Sequence, residues 1–154
     1  MNHTGIEKIT YGVTDLDKAK AFWSDFGLSP MDSGNGHMAF TAQNGATVEI
    51  RPADDPELRP PVGEDTDATV REAMFGVKSQ EDLDALEANL SADRDVRKDA
   101  DGSIHTVDPV GFGLGFRLKQ TVPVTAPEQE VNVPGRPTRI NRRAEMVNKA
   151  DPFE

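Results

Sequence analysis

A chain of 154 residues with 27 acids, 17 bases and a formal net charge of -10 has room for one domain with its own core and not for two ordinary ones. That surface repels phosphate backbones and disfavours nucleic acid as a partner. The absence of cysteine excludes disulfides, thiolate zinc sites and cysteine nucleophiles.

The first periodic segment, Ile6 to Val13, alternates as a strand does. A helix follows from the capping pattern Thr14-x-x-Asp17, with Leu16, Ala19, Phe22, Trp23 and Phe26 as its apolar stripe and Gly27 at its stop. On this reading core packing accounts for Trp23 and Phe26. A short strand is expected near His37–Thr41 and a closing strand through Val48 and Ile50. Pro52–Asp67, with four prolines, reads as a linker.

The pattern then repeats. Tyr11-Gly12-Val13 matches Phe75-Gly76-Val77, Ser79-x-x-Asp82 is a second cap, and Leu83, Leu86 and Leu90 form the second helix stripe. Short strands are expected near Val96–Lys98 and Ile104–Val107. Asn44-Gly45-x-x-Val48-Glu49-Ile50-Arg51 matches Val110-Gly111-x-x-Leu114-Gly115-Phe116-Arg117. Each unit, about 6–51 and 68–118, therefore reads βαβββ. The predicted fold is α+β: a domain over 1–118 in which two βαβββ units form one curled, eight-stranded mixed sheet around a cleft. Residues 119–154, with five prolines and a local basic cluster of Arg136, Arg139, Arg142 and Arg143, read as an extended C-terminal arm or an interdomain connector. The cluster is either a solvated arm or a segment that docks on an acidic body.

Strand alternation sorts side chains onto two faces. Ile9, Tyr11, Val13, Ala73, Phe75 and Val77 belong under the helices. Lys8, Thr10, Glu49, Arg51, Glu72, Met74, Gly115 and Arg117 then line the cleft. Glu49 and Glu72 are weak candidates for a metal or a general base; the plainer reading pairs them with Lys8 in an ion cluster. Arg51 and Arg117 are either an anion clamp or, more simply, solvated strand ends. His3, His37 and His105 read as polar surface residues. Gly12 and Gly76 either admit a ligand or mark bends in the sheet.

The run Val13-Thr14-Asp15-Leu16-Asp17-Lys18-Ala19-Lys20-Ala21-Phe22-Trp23, on paired βαβββ units, resembles the vicinal oxygen chelate superfamily of glyoxalases, bleomycin resistance proteins and extradiol dioxygenases. The resemblance covers about residues 6–118. Pro137-Thr138-Arg139-Ile140-Asn141-Arg142 is similar to the segment joining the halves of two-domain extradiol dioxygenases. The superfamily takes metal ligands from the first and last strand of each unit, which fall here on Lys8, Glu49, Glu72 and Gly115. A cation and a glycine at two of the four leave no 2-His-1-carboxylate triad.

The resemblance thus implies the metal-free N-terminal half of a dioxygenase-like protein, a scaffold with no catalytic residues. No cofactor is expected in this chain, and Fe(II) only in a C-terminal half. A stand-alone binding protein for an aromatic or anionic small molecule is the alternative. A glyoxalase-type divalent-metal lyase or isomerase, with Glu49 and Glu72 as partial ligands, is the weakest reading. A cytoplasmic protein without membrane contact is expected, since no stretch approaches spanning length and no apolar leader is present. It is expected as a homo-oligomer such as a dimer, or as a chain joined to a further domain.

Overall fold

The computed structural model describes residues 3–33, 37–63, 68–124 and 134–135. The arginine cluster at 136, 139, 142 and 143, and most of the expected arm, lie outside the described residues. The first unit runs β1 (His3–Val13), α1 (Leu16–Phe26), β2 (Ser29–Asp32), β3 (Met38–Thr41) and β4 (Thr47–Pro52). The second runs β5 (Ala68–Val77), α2 (Gln80–Leu90), β6 (Arg97–Lys98), β7 (Ile104–Val107) and β8 (Gly113–Leu118). Both units are βαβββ, and they join into one eight-stranded sheet in the order β2-β3-β4-β1-β5-β8-β7-β6.

In each unit the first and last strands pair in parallel, Thr10 opposite Glu49 in one and Met74 opposite Gly115 in the other. The two first strands pair antiparallel at the centre of the sheet. Each half thus repeats the other about that central pair. The sheet is mixed, does not close into a barrel, and curls its open face around a cleft.

Local chemistry sets the helix ends. α2 starts as expected, with the Ser79 side chain accepting from the Asp82 amide at 3.2 Å. In α1 the cap is Asp15, whose side chain accepts from the Lys18 amide at 2.9 Å. The expected cap at Thr14 is therefore one residue early; a carboxylate there has the charge as well as the reach to hold the first-turn amides. Gly27 stops α1 in the left-handed region (φ 114°), where a side chain would be strained.

The core is two clusters, one per unit. Val13, Leu28, Phe40, Val48 and Ile50 anchor the first, with Tyr11, Leu16, Ala19 and Trp23 packed against it. Val77, Leu83, Leu86, Ile104 and Phe116 anchor the second. The helices differ in how they contribute. α2 buries Leu83 and Leu86, whereas no residue of α1 is buried. Phe26 and Phe22 are exposed and contact each other and Trp23 edge-on or stacked. Core packing thus accounts for part of Trp23 and not for Phe26, because α1 lies on the sheet through one edge of its stripe only.

Candidate functional site

Two β-bulges shape the cleft. The register of β1 on β5 passes from Ile6 opposite Phe75 to Lys8 opposite Met74, which leaves Glu7 as an extra residue. It passes from Thr10 opposite Glu72 to Tyr11 opposite Val70, which leaves Arg71 extra on the other strand. A bulge turns its residue out of strict alternation. Glu7 accordingly lies over Gly76, where a Cβ would come within 2.7 Å of its Oε1, and Arg71 lies over Gly12, where a Cβ would come within 2.6 Å of its Nε. The two glycines therefore make room for the protein's own buried charges.

Those charges fasten the segments that leave the last strand of each unit. Glu7 is 0% exposed. It accepts from the Gln120 amide at 2.9 Å, the Thr121 amide at 3.1 Å and the Thr121 hydroxyl at 2.8 Å. Arg71, also buried, donates to the Arg59 carbonyl at 2.9 Å and, more weakly, to that of Ala53 at 3.4 Å. Backbone bonds repeat the correspondence: Ala53 donates to Val13, and Lys119 to Val77.

At the four positions to which the resemblance assigns metal ligands, two residues pair with each other, one is held by groups outside the set and one has no side chain. Lys8 Nζ lies 3.1 Å from Glu49 Oε2, and the buried Thr10 hydroxyl reaches the same oxygen at 3.5 Å. The expected Lys8 cluster thus forms with Glu49. Glu72 is engaged elsewhere: its Oε2 is 2.9 Å from His105 Nδ1 and 3.6 Å from Arg59 Nε. Gly115 supplies no donor, and the buried Met74 fills its place, its Cε only 2.6 Å from where a Cβ would stand.

The histidines correct the surface reading. His105 is 6% exposed, between Glu72 on one side and Ser103 and Asp99 on the other, at 3.0 and 3.2 Å from its Nε2. His37 is half-buried between Glu49 (3.5 Å) and Asp55 (3.6 Å). His3 has an exposed side chain, as expected, and tilts against Phe116. Ser103, His105 and Glu72 have the order of a nucleophile triad. The Ser103 hydroxyl, however, lies 2.6 Å from Asp101 Oδ1 and is held there by a carboxylate in a buried position. The hydroxyl donates to Asp101, so its proton is directed to that carboxylate and away from the imidazole.

Burial raises the Glu72 carboxyl pKa, but the hydrogen bond and charge of His105, with Lys8 and Arg59 nearby, outweigh it and hold the group below its ordinary 4.5. A carboxylate depressed in the folded state contributes stability that is complete above the unfolded value and is lost as pH falls through the folded one. Glu72→Gln should therefore lower stability by about 1–3 kcal/mol at pH 7 and flatten the loss of stability below pH 4.5. Urea unfolding of both proteins from pH 7 to pH 3 measures this.

The linker is part of the site. Asp55 and Glu57 both bind Arg51, at 2.7 and 2.8 Å. Arg59 meets Glu72 on the other unit, and Val62 approaches Gly111. The segment lines two open cavities, one of 540 Å³ with His37, Arg51, Asp55, Pro56 and Glu57, and one of 450 Å³ that includes Arg59, Arg97 and His105; of the eight expected cleft residues only Arg51 lines either. Arg51 is consequently an ion-paired anchor, not a solvated strand end. Arg117 faces Glu7 at 3.6 Å and lines neither cavity.

No protein-family model and no curated protein matches the chain. Solved structures do. An Mn(II)-bound glyoxalase from Novosphingobium aromaticivorans matches 74% of this chain at 25% identity and a TM-score of 0.53. A variant of homoprotocatechuate 2,3-dioxygenase from Brevibacterium fuscum matches 80% at 20% identity and a TM-score of 0.59, and the Arthrobacter globiformis enzyme 79% at 20% and 0.59. The fold is the vicinal oxygen chelate fold. The chain spans 38%, 34% and 38% of the length of those three structures. This chain's residues do not fit the divalent metal of such a centre: Lys8 is a cation on Glu49, Gly115 has no donor and Glu72 is held by His105. Among the described residues, no group of three or more His, Asp or Glu is placed to hold a metal ion, and no helix is long and apolar enough to cross a membrane.

Strand alternation does not reveal Glu7, Arg71, Asp55, Arg59 or the partnering of His37 and His105. The one signal for the first two was the pair of glycines at matching places in the repeat.

Proposed function

We propose that this chain is a non-catalytic vicinal-oxygen-chelate domain of an extradiol dioxygenase-like protein, bearing scaffold and assembly roles while iron and catechol chemistry belong to another unit. One observation carries the reading: the Lys8–Glu49 ion pair stands at two of the four ligand positions. An ammonium there supplies the positive charge that a metal would otherwise bring. Removing either partner would leave the other half-buried and uncompensated. The likeness to glyoxalase and dioxygenase structures, and the third of their length that this chain spans, support the superfamily and the idea of a part of a larger assembly.

Anaerobic titration of the purified chain with Mn(II), followed by calorimetry, tests the metal-free part. The expected result is no stoichiometric uptake; one equivalent bound at micromolar affinity and lost in Glu72→Gln would overturn it. Reading the source gene past codon 154 tests the assembly part. A frame running into a second pair of βαβββ units supports it, and a stop codon there returns the lead to a stand-alone small-molecule binding protein.

A further inference from the structure

The linker has the chemistry of an occupant as well as a connector. Two of its carboxylates converge on one guanidinium: Arg51 Nε donates to Asp55 at 2.8 Å and its terminal nitrogen to Glu57 at 2.8 Å. His37 Nε2 faces the same Asp55 carboxylate at 3.6 Å. These groups line a cavity of 540 Å³, within the size range that holds small ligands.

We propose that residues 53–59 form a strap that occupies a dicarboxylate site centred on Arg51. The strap's Asp55 and Glu57 stand where the two carboxylates of a small diacid would bind. The inference does not depend on the scaffold reading, since a domain without a metal can still carry a ligand.

The hold is uneven along the strap. Its ends are fastened by Arg71, which is buried and donates to the carbonyls of Ala53 and Arg59. Its middle is held by two unequal pairs: Asp55 meets Arg51 with both side chains largely shielded, whereas Glu57 reaches the same guanidinium from the surface. Glu57 is 77% exposed, and an ion pair so open to water is worth at most about 1 kcal/mol. The Glu57 side of the strap is therefore the first to lift while the ends stay fixed. A tethered occupant acts at millimolar effective concentration, so a free diacid competes poorly until a strap carboxylate is removed.

Succinate is the probe, titrated by calorimetry at low ionic strength into the whole chain and into Glu57→Ala. The expected result is binding to Glu57→Ala tighter by about fivefold, the most that a pair of about 1 kcal/mol withholds, with the gain abolished when Arg51→Gln is added. Equal affinity for both chains, or no binding to either, overturns the proposal. Should the Arg51 variant fail to fold, hydrogen exchange in Glu57→Ala decides. The Leu58 amide, bonded to the Asp55 carbonyl at 3.0 Å, should exchange faster when succinate is added, and an unchanged rate contradicts a strap that lifts.

Discussion

Replacing Glu7 by Ala should destabilise the protein by about 3–5 kcal/mol, the cost of breaking a buried charged network from one side. The carboxylate is 0% exposed and serves two backbone amides and a hydroxyl from residues 120 and 121. Removing it takes the acceptor from the Gln120 and Thr121 donors, leaves Arg117 without its acid, and opens space over Gly76. Glu7→Gln retains an acceptor and most of the volume, so its loss should be about 1–2 kcal/mol. Urea unfolding measures both. A loss below about 1 kcal/mol for Glu7→Ala would mean that residues 119–122 are not fastened to the domain. This fastening also moves the boundary of the body beyond 118: Val122 donates to the Asn44 carbonyl at 2.8 Å on the first unit, so the start of the expected arm belongs to the fold.

The second large effect is an asymmetry between equivalent helices. Leu83 in α2 is 1% exposed, in a cluster with Val77, Ile104 and Phe116, and Leu83→Ala should cost about 2–5 kcal/mol. Phe22 in α1 is 57% exposed, and Phe22→Ser should stay within about 0.5 kcal/mol despite the larger side chain removed. Thermal and urea unfolding of the two variants side by side give the comparison. Equal losses would show that α1 is seated as deeply as α2.

The repeat made the architecture legible. Tyr11-Gly12-Val13 and Phe75-Gly76-Val77 sit at equivalent places in β1 and β5, and matching caps and closing strands follow them, so both βαβββ units could be read before any coordinate. Alternation brought Thr10 beside Glu49, and Glu72 opposite Thr10, in register across neighbouring strands. It fails at Glu7 and Arg71, where an extra residue in the register reverses the face, and nothing in local composition announces a bulge. Prolines made 52–67 read as a passive linker, and pattern alone could not show that Asp55 and Arg59 reach back to Arg51 and Glu72. His105 read as polar surface because its burial depends on Glu72, 33 positions away in sequence. Phe26 erred the other way: its place on the stripe was right, but the depth at which α1 sits on the sheet is a tertiary property.

Anomalous diffraction from crystals grown with excess Mn(II) shows most directly whether the Lys8–Glu49 pair, the His105 hold on Glu72 and the Met74 side chain beside Gly115 keep a metal out. No anomalous peak is expected among Lys8, Glu49, Glu72 and Gly115, with Lys8 Nζ within bonding distance of Glu49. A fully occupied peak coordinated by Glu49 and Glu72, with Lys8 turned away, would contradict this exclusion.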